Sequence, residues 1–171
     1  MKNAFYTITI LFALLLSACK KKETLPENDL TEDNITACQV GASCNFLFAD
    51  NSGMDESKLL LTKGQYRVFW AQATTNYAAF SLYMMAPMIG DHFVLTKEDF
   101  LAGRIKYQNN CAYCFAASMV PIDGKIKGKK LPKVAGLPEK WLIEADVIFS
   151  TGTGSASTNN LHLKQYYTSA N

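Results

Sequence analysis

The sequence predicts a mainly β domain, either an antiparallel β-sandwich or a small barrel, with at most one or two short helices. Three observations favour this fold class: six to eight short stretches rich in aromatic and branched residues, turn-forming residues between them, and no amphipathic helix of useful length. Aromatic and branched side chains suit the pleated surface of a strand. No internal repeat interrupts the pattern, so a single domain is expected.

The first half of the predicted domain contains four candidate elements. Residues 44–49 form a strand pattern, and Asp50-Asn51-Ser52-Gly53 has the composition of a turn. Residues 58–62 and 65–72 are the next two strand candidates. Residues 78–85 suit a strand or a short helix, because alanine and methionine also favour helices.

One helical turn is predicted in the middle of the chain, after a strand at residues 92–95. Thr96 suits the N-cap position, with Asp99 three residues later, and Gly103 suits the end of the turn. Residues 104–107 then alternate polar and apolar side chains, as a half-buried strand does.

The second half of the domain continues with strand signals. Residues 115–122 are apolar, and Asp123-Gly124 is a typical hairpin dipeptide. Residues 152–160 read as a loop, and residues 161–167 as a strand that closes the sheet. The clearest late strand places five apolar residues on one face: Trp141, Ile143, Ala145, Val147 and Phe149.

The N-terminus has the form of a secretory signal. Lys2 precedes an apolar stretch from Ala4 to Leu16, which is short against the roughly 20 residues that a bilayer crossing needs. At its end, Leu16-Ser17-Ala18-Cys19 resembles the lipobox of bacterial lipoproteins. The resemblance implies diacylation of the Cys19 sulfur and cleavage after Ala18, which would attach the protein to a membrane through its N-terminal lipid.

This resemblance divides the chain into a signal peptide at 1–18, a lipidated N-terminus and flexible tether at 19–37, and one β-rich domain at 38–171. The three lysines that follow Cys19, with an acidic stretch after them, resemble small Bacteroidota lipoproteins without an assigned activity. We therefore expect a cell-envelope location, in the outer membrane at its periplasmic or surface face. The alternative is an uncleaved membrane anchor, which the lysines beside Cys19 would also suit.

The charge of the chain excludes a nucleic-acid-binding surface of the usual kind. Of 17 basic and 15 acidic side chains, the signal segment removes only Lys2, so the mature chain is nearly neutral. The local basic run between Lys125 and Lys133 suits a solvated sheet edge, although it could also contact anionic headgroups or glycans.

The remaining cysteines are Cys38, Cys44, Cys111 and Cys114, an even number that predicts two disulfides in an exported domain. Three pairings are open, and the two that tie the first pair of cysteines to the second close longer loops and so restrict the unfolded chain more. We favour such a cross-tie. The irregular spacing argues against a zinc site, and the bare Cys-x-x-Cys motif gives weak support to a redox role.

No catalytic pattern stands out, and we expect neither an enzyme, nor a metal, nor a cofactor. His92 and His162 are the only histidines and have no patterned partners, and residues 50–56 do not follow the EF-hand spacing. A hydrolase would need a deep cleft that holds one of these histidines against a carboxylate and a hydroxyl.

The aromatic and methionine residues suggest a binding role instead. Candidates for a partner or ligand surface are Trp70, Tyr83, Met84, Met85 and Met88. The leading interpretation is a non-enzymatic lipoprotein that binds a protein or glycan partner or supports an envelope assembly. Its main rival is a carrier of a small apolar ligand, which predicts a barrel with a cavity lined by Tyr, Phe and Met.

Overall fold

The computed structural model describes residues 30–55, 57–111, 119–151 and 158–170. This part of the chain is mainly β, as predicted, and contains one short helix. The elements are β1 (Ser43–Asp55), β2 (Leu60–Lys63), β3 (Tyr66–Thr74), β4 (Ala78–Pro87), β5 (His92–Leu95), α1 (Lys97–Leu101), β6 (Ile105–Cys111), β7 (Val120–Lys130), β8 (Lys140–Ser150) and β9 (Thr158–Ser169). The signal segment, Cys19 and Cys114 lie outside the described residues.

The strands form one strongly curled sheet, a half-barrel, in the order β5-β7-β8-β9-β1-β3-β4-β6, with β2 paired to β1. Every pairing is antiparallel except that of β1 with β9, which is parallel and joins Leu47 to Thr168 and Phe48 to Ser169. The curl brings β6 into contact with β7, and α1 packs on β7 beside this contact. Phe100 of α1 is buried there, so the helix helps to cover the seam of the half-barrel.

An aromatic cluster packs against the inner face of the curled sheet. Phe69 lies at its centre, with ring centroids 5.4 to 5.7 Å from those of Phe93, Phe48, Trp141 and Tyr167. These rings come from five different strands, so one residue ties both halves of the sheet together. The five apolar residues predicted for one face of β8 are all buried in this core.

Two of the predicted turns are wrong, because a strand continues through each of them. β1 continues past Asn51, where the register against β3 shifts and the backbone has φ 52°. β7 continues past Asp123-Gly124, where the register against β8 shifts in the same way. Gly124 has φ 146°, and a Cβ there would lie 2.1 Å from the Asp146 carbonyl oxygen. Both sites are β-bulges, which use the same permissive residues as hairpin turns but bend a strand instead of ending it.

Other local predictions hold. Thr96 is the N-cap of α1, and the Asp99 carboxylate accepts a hydrogen bond from the Thr96 backbone N–H at 2.7 Å. Gly103 follows the helix with φ 70°. The segment that suited either a strand or a helix is the strand β4. The loop prediction is wrong at residues 158–160, which belong to β9.

The segment before β1 contacts the sheet earlier than the predicted domain start at Cys38. The Thr36 backbone N–H donates to the Lys164 carbonyl at 2.8 Å, and the Thr36 hydroxyl accepts from the Lys164 N–H at 2.9 Å. The Tyr166 hydroxyl donates to the Glu32 carboxylate at 2.5 Å. Residues 32–36 therefore lie along β9.

The cysteine pairing corrects the favoured cross-tie, because Cys38 is bonded to Cys44. Between them the chain makes a tight turn: the Ala42 N–H donates to the Gln39 carbonyl at 3.0 Å, and Gly41 has φ 81°. This turn returns the chain to the start of β1 and brings the two sulfurs together. Cys111 is also disulfide-bonded.

Candidate functional site: an apolar cavity at one end of the half-barrel

The inside of the half-barrel contains a cavity of about 380 Å³ that is partly open to the surface. It lies at the end of the sheet where β3 ends and β4 begins, which we call the cavity end. Side chains from seven described segments surround it: Phe46, Ala71, Ala73, Phe80, Leu82, Tyr107, Met119, Phe149, Leu161 and Leu163. Pockets of 300–1,000 Å³ with mainly hydrophobic and aromatic walls are typical small-molecule sites.

A change in side-chain size along β3 creates this space. Its inward face carries Arg67, Phe69, Ala71 and Ala73 in order. Phe69 fills the core, whereas the two alanines leave room opposite their cross-strand partners Leu82 and Phe80. The sequence alone does not reveal this change from large to small side chains, because it becomes visible only once the inward face of β3 is known.

The wall beside the cavity is completed by the N-terminal segment. β1 and β9 pair only where Leu47 and Phe48, within β1, meet Thr168 and Ser169 at the end of β9. Ala37, Gln39 and the bonded Cys38 and Cys44 line the cavity on this side. The disulfide therefore holds a part of the cavity wall rather than the core.

None of the 18 described lining residues carries a charged side chain. The ionisable phenol among them is Tyr107, and burial raises its pKa above the usual value, so it stays protonated at neutral pH. Its ring packs against Phe149 with centroids 4.8 Å apart, and its hydroxyl has no hydrogen bond to any described residue. The described lining is thus uncharged and mainly apolar, and its polar side chains are Tyr107, Gln39, Gln72, Ser81, Asn159 and Asn160.

The opposite end of the interior is closed by an ionic cluster. Arg67 is 6% exposed and forms two contacts with the Asp50 carboxylate, at 2.5 and 2.8 Å. Its guanidinium carbon lies 4.6 Å from the centre of the Trp141 ring. The Trp141 indole N–H donates to Glu139 at 2.9 Å, and Lys130 contacts the same carboxylate at 2.6 Å.

This cluster lowers the pKa of Glu139. Partial burial alone would raise that pKa, but the hydrogen bonds from Lys130 and Trp141 and the positive charges of Lys130 and Arg67 together outweigh it. The Glu139 carboxylate is therefore stabilised in its charged form. The cluster serves the packing of this end and lies apart from the cavity lining.

The structure divides the predicted partner surface between two faces of the sheet. Trp70 and Tyr83 are cross-strand neighbours on the outer face, and both are partly exposed. Met85 also lies on the outer face and is half-buried, whereas Met84 is fully buried in the core and cannot belong to an exposed surface. Met88 is half-buried beyond the end of β4, where its sulfur accepts from the Asn51 N–H at 3.5 Å.

Neither histidine belongs to the cavity lining, although His162 lies between two lining residues, Leu161 and Leu163. His162 Nδ1 lies 2.7 Å from Asp146 Oδ1, and both side chains are more than half exposed on the outer face. His92 is exposed at the start of β5. The cavity therefore does not provide the cleft around a histidine that the hydrolase alternative predicts.

The basic run lies on the outer face of β7 and at its end. Lys125 and Lys127 are cross-strand neighbours of Asp146 and Glu144 on β8, and Glu144 also contacts Lys164 of β9 at 3.6 Å. Much of the positive charge is therefore matched by acids on the next strand. Within the described ranges, no three metal-ligating side chains are grouped together.

The fold and cavity define a β half-barrel with an internal apolar site. Comparisons with protein-family models, with curated proteins and with solved structures found no match to this chain. In the part of the chain that the structure describes, no helix has both the length and the hydropathy needed to cross a membrane.

Proposed function

We propose that the protein is an exported lipoprotein, anchored through Cys19, whose half-barrel binds a small uncharged apolar ligand. The lipobox residues Leu16-Ser17-Ala18-Cys19 support the anchor. The Cys38–Cys44 disulfide is in keeping with an oxidising compartment. The cavity supports the binding role, and in our proposal the chain is not an enzyme and needs no cofactor.

One observation carries the proposal: a cavity of about 380 Å³ whose described lining has no charged side chain. Moving a charged group out of water without a partner costs several kcal/mol or more. A ligand with an ionised group inside this space would meet no compensating charge. The site therefore favours a neutral ligand, with Tyr107 as a donor to one acceptor atom.

The size of the cavity sets the size of the ligand. Water occupies about 30 Å³ per molecule in the liquid, so the space corresponds to at least about a dozen non-hydrogen atoms, and a larger ligand can extend through the open side. At about 0.3 kcal/mol per atom, such a ligand would gain about 4 kcal/mol, which corresponds to a Kd near ~1 mM. Because small ligands often exceed this efficiency, we expect affinities at or tighter than this value.

The test uses a neutral apolar fluorophore, N-phenyl-1-naphthylamine, and a pair of matched variants. Ala73→Phe places a ring on the inward face of β3, inside the cavity. Ala79→Phe adds the same ring to a partly exposed position on β4 that does not line the cavity. We expect the wild type and A79F to enhance the probe's emission, and A73F to lose that enhancement while keeping the wild-type circular dichroism spectrum.

Competition then tests the preference for a neutral ligand. Dodecanol should displace the probe at lower concentration than dodecanoate does at neutral pH, because only the latter would bring a charge into the lining. Equal probe binding by A73F and the wild type would contradict the proposal. Mass spectrometry of the mature N-terminus tests the anchor independently, and a chain that retains residues 1–18 without acyl groups would refute it.

A second candidate, binding of a protein or glycan partner, is supported by the outer-face neighbours Trp70 and Tyr83. Leu47 lies on the other side of Trp70 in the same cross-strand row. The partly exposed rings of Trp70 and Tyr83 offer flat apolar faces with polar edges. Trp70→Ala should weaken this binding and leave probe binding in the cavity unchanged, and the reverse result would argue against the second candidate.

A further inference from the structure

The end of the half-barrel opposite the cavity carries exposed apolar loop tips. Ile89, between β4 and β5, is 90% exposed, and Val134 and Leu137, between β7 and β8, are 58% and 59% exposed. The two loops are joined, since the Lys130 N–H donates to the Asp91 carbonyl at 2.7 Å. Exposed apolar side chains grouped in this way are typical of an interaction surface. We call this end of the half-barrel the loop end. Val40 and Tyr77 at the cavity end are exposed as well, so the two ends are distinguished by the charge around the apolar side chains.

Basic side chains surround these tips. Lys129, Lys133 and Lys140 are exposed at the loop end, and the Lys140 ammonium lies 4.0 Å above the Tyr166 ring. Of the acidic groups there, Glu139 is paired with Lys130 and Glu32 accepts from the Tyr166 hydroxyl. Asp91 is a further exposed acid beside them. Apolar tips with a basic margin match the charge and polarity of an anionic lipid surface.

The chain enters the described structure at this same end. Glu32 lines a cleft of about 500 Å³ together with Leu131, Pro132, Val134 and Leu137. Ten residues lie between Cys19 and Leu30, so the eleven steps from one Cα to the next can span at most about 40 Å. The 11 residues of β8 place the two ends of the sheet roughly 33 Å apart. A segment that ran from Leu30 around to a membrane at the cavity end would therefore use most of its maximum span.

We propose that the loop end rests on an anionic lipid bilayer, with Ile89, Val134 and Leu137 entering its interface and the cavity end facing away. The argument from chain length rests on the proposed anchor at Cys19, whereas the apolar tips and the basic margin are independent of it. The orientation leaves the cavity accessible from the aqueous side.

Two tryptophan variants of the full chain test this orientation. Leu137→Trp places an indole at the loop end, and Tyr77→Trp places one at the cavity end, where the native side chain is 71% exposed. Each variant is reconstituted with vesicles of phosphatidylcholine and phosphatidylglycerol that have brominated acyl chains, which quench tryptophan emission on contact. The wild-type signal of Trp70 and Trp141 is subtracted as background.

We expect the added emission of L137W to be quenched and that of Y77W to be unchanged. Quenching at both positions, at neither, or at Y77W alone would overturn the orientation. Intact-mass measurement on the same samples reports acylation separately. An acylated protein without selective quenching refutes this inference and leaves the anchor standing, whereas selective quenching of a protein without acyl groups supports this inference and refutes the anchor.

Discussion

Removal of the Arg67 charge should destabilise the domain much more than removal of a partly exposed arginine that also contacts a carboxylate. Arg67 is 6% exposed, contacts both Asp50 carboxylate oxygens and packs on Trp141. Loss of one partner of a fully buried ion pair costs about 3–5 kcal/mol. Since the Asp50 side chain is 39% exposed and regains some water, we expect about 3 kcal/mol for Arg67→Met.

For a chain of this length, about 3 kcal/mol corresponds to a fall in Tm of roughly 6–12 °C. Methionine keeps most of the apolar stem, so the change isolates the charge. Thermal unfolding followed by far-UV circular dichroism measures the shift, and urea unfolding gives the free energy directly.

Arg104→Met is the matched control. Arg104 also contacts a carboxylate at 2.5 Å, that of Asp99, and lies 5.8 Å from the Tyr66 ring, but its side chain is 37% exposed. Because Arg104 is partly exposed and the Asp99 carboxylate, whose side chain is 15% exposed, keeps its hydrogen bond from the Thr96 N–H, the control should lose about 1 kcal/mol, or a few degrees. If the two variants unfold at the same temperature, burial is not what gives the Arg67 contacts their strength, and the reasoning fails.

Three further predictions concern the cavity and the ionic cluster. Tyr107→Phe should weaken binding of a ligand with an acceptor atom by about 2- to 12-fold, or about 0.5–1.5 kcal/mol, without changing the affinity for a pure hydrocarbon, and Tyr77→Phe should change neither in the same titrations. Replacing Cys38 and Cys44 together by serine should lower the free energy of unfolding by about 2 kcal/mol, given their sequence separation of 6. The double variant should also bind the probe more weakly, because both residues line the cavity. Unchanged probe binding would show that the disulfide does not contribute to the site. Because folding lowers the pKa of Glu139, its charged carboxylate stabilises the fold at pH values above the ordinary pKa near 4.5. This stabilisation is lost as the pH falls from 4.5 through the lowered pKa. In that acidic window, Tm should therefore drop more steeply with pH for the wild type than for Glu139→Gln, and parallel curves would contradict this assignment.

Features set by short-range chemistry were predictable. Strands rich in aromatic and branched residues, the helix capped by Thr96 and Asp99, and the buried face of β8 all follow from residues a few positions apart. The two failed turn predictions are instructive, because Asn51 and Gly124 do adopt permissive backbone conformations. A hairpin and a bulge need the same local freedom, and the curl of the whole sheet selects between them.

The candidate site depended on contacts between residues far apart in the chain. The alternation in β3 does not reveal which face is inward, and only the pairing with β1 and β4 places Ala71 and Ala73 inside and Trp70 outside. A shift of one residue would exchange those faces. The same alternation separates the buried Met84 from the half-buried Met85, which the sequence analysis had grouped together.

By itself, then, the sequence determined the β class, the capped helix and the expectation of an anchored, exported chain, because each depends on neighbouring residues or on a short motif. The tertiary structure alone decided the parallel junction of β1 with β9, the local Cys38–Cys44 bond and the cavity. Those features arise from the closure of a curled sheet, in which the position of every side chain depends on the register of strands that are distant in sequence.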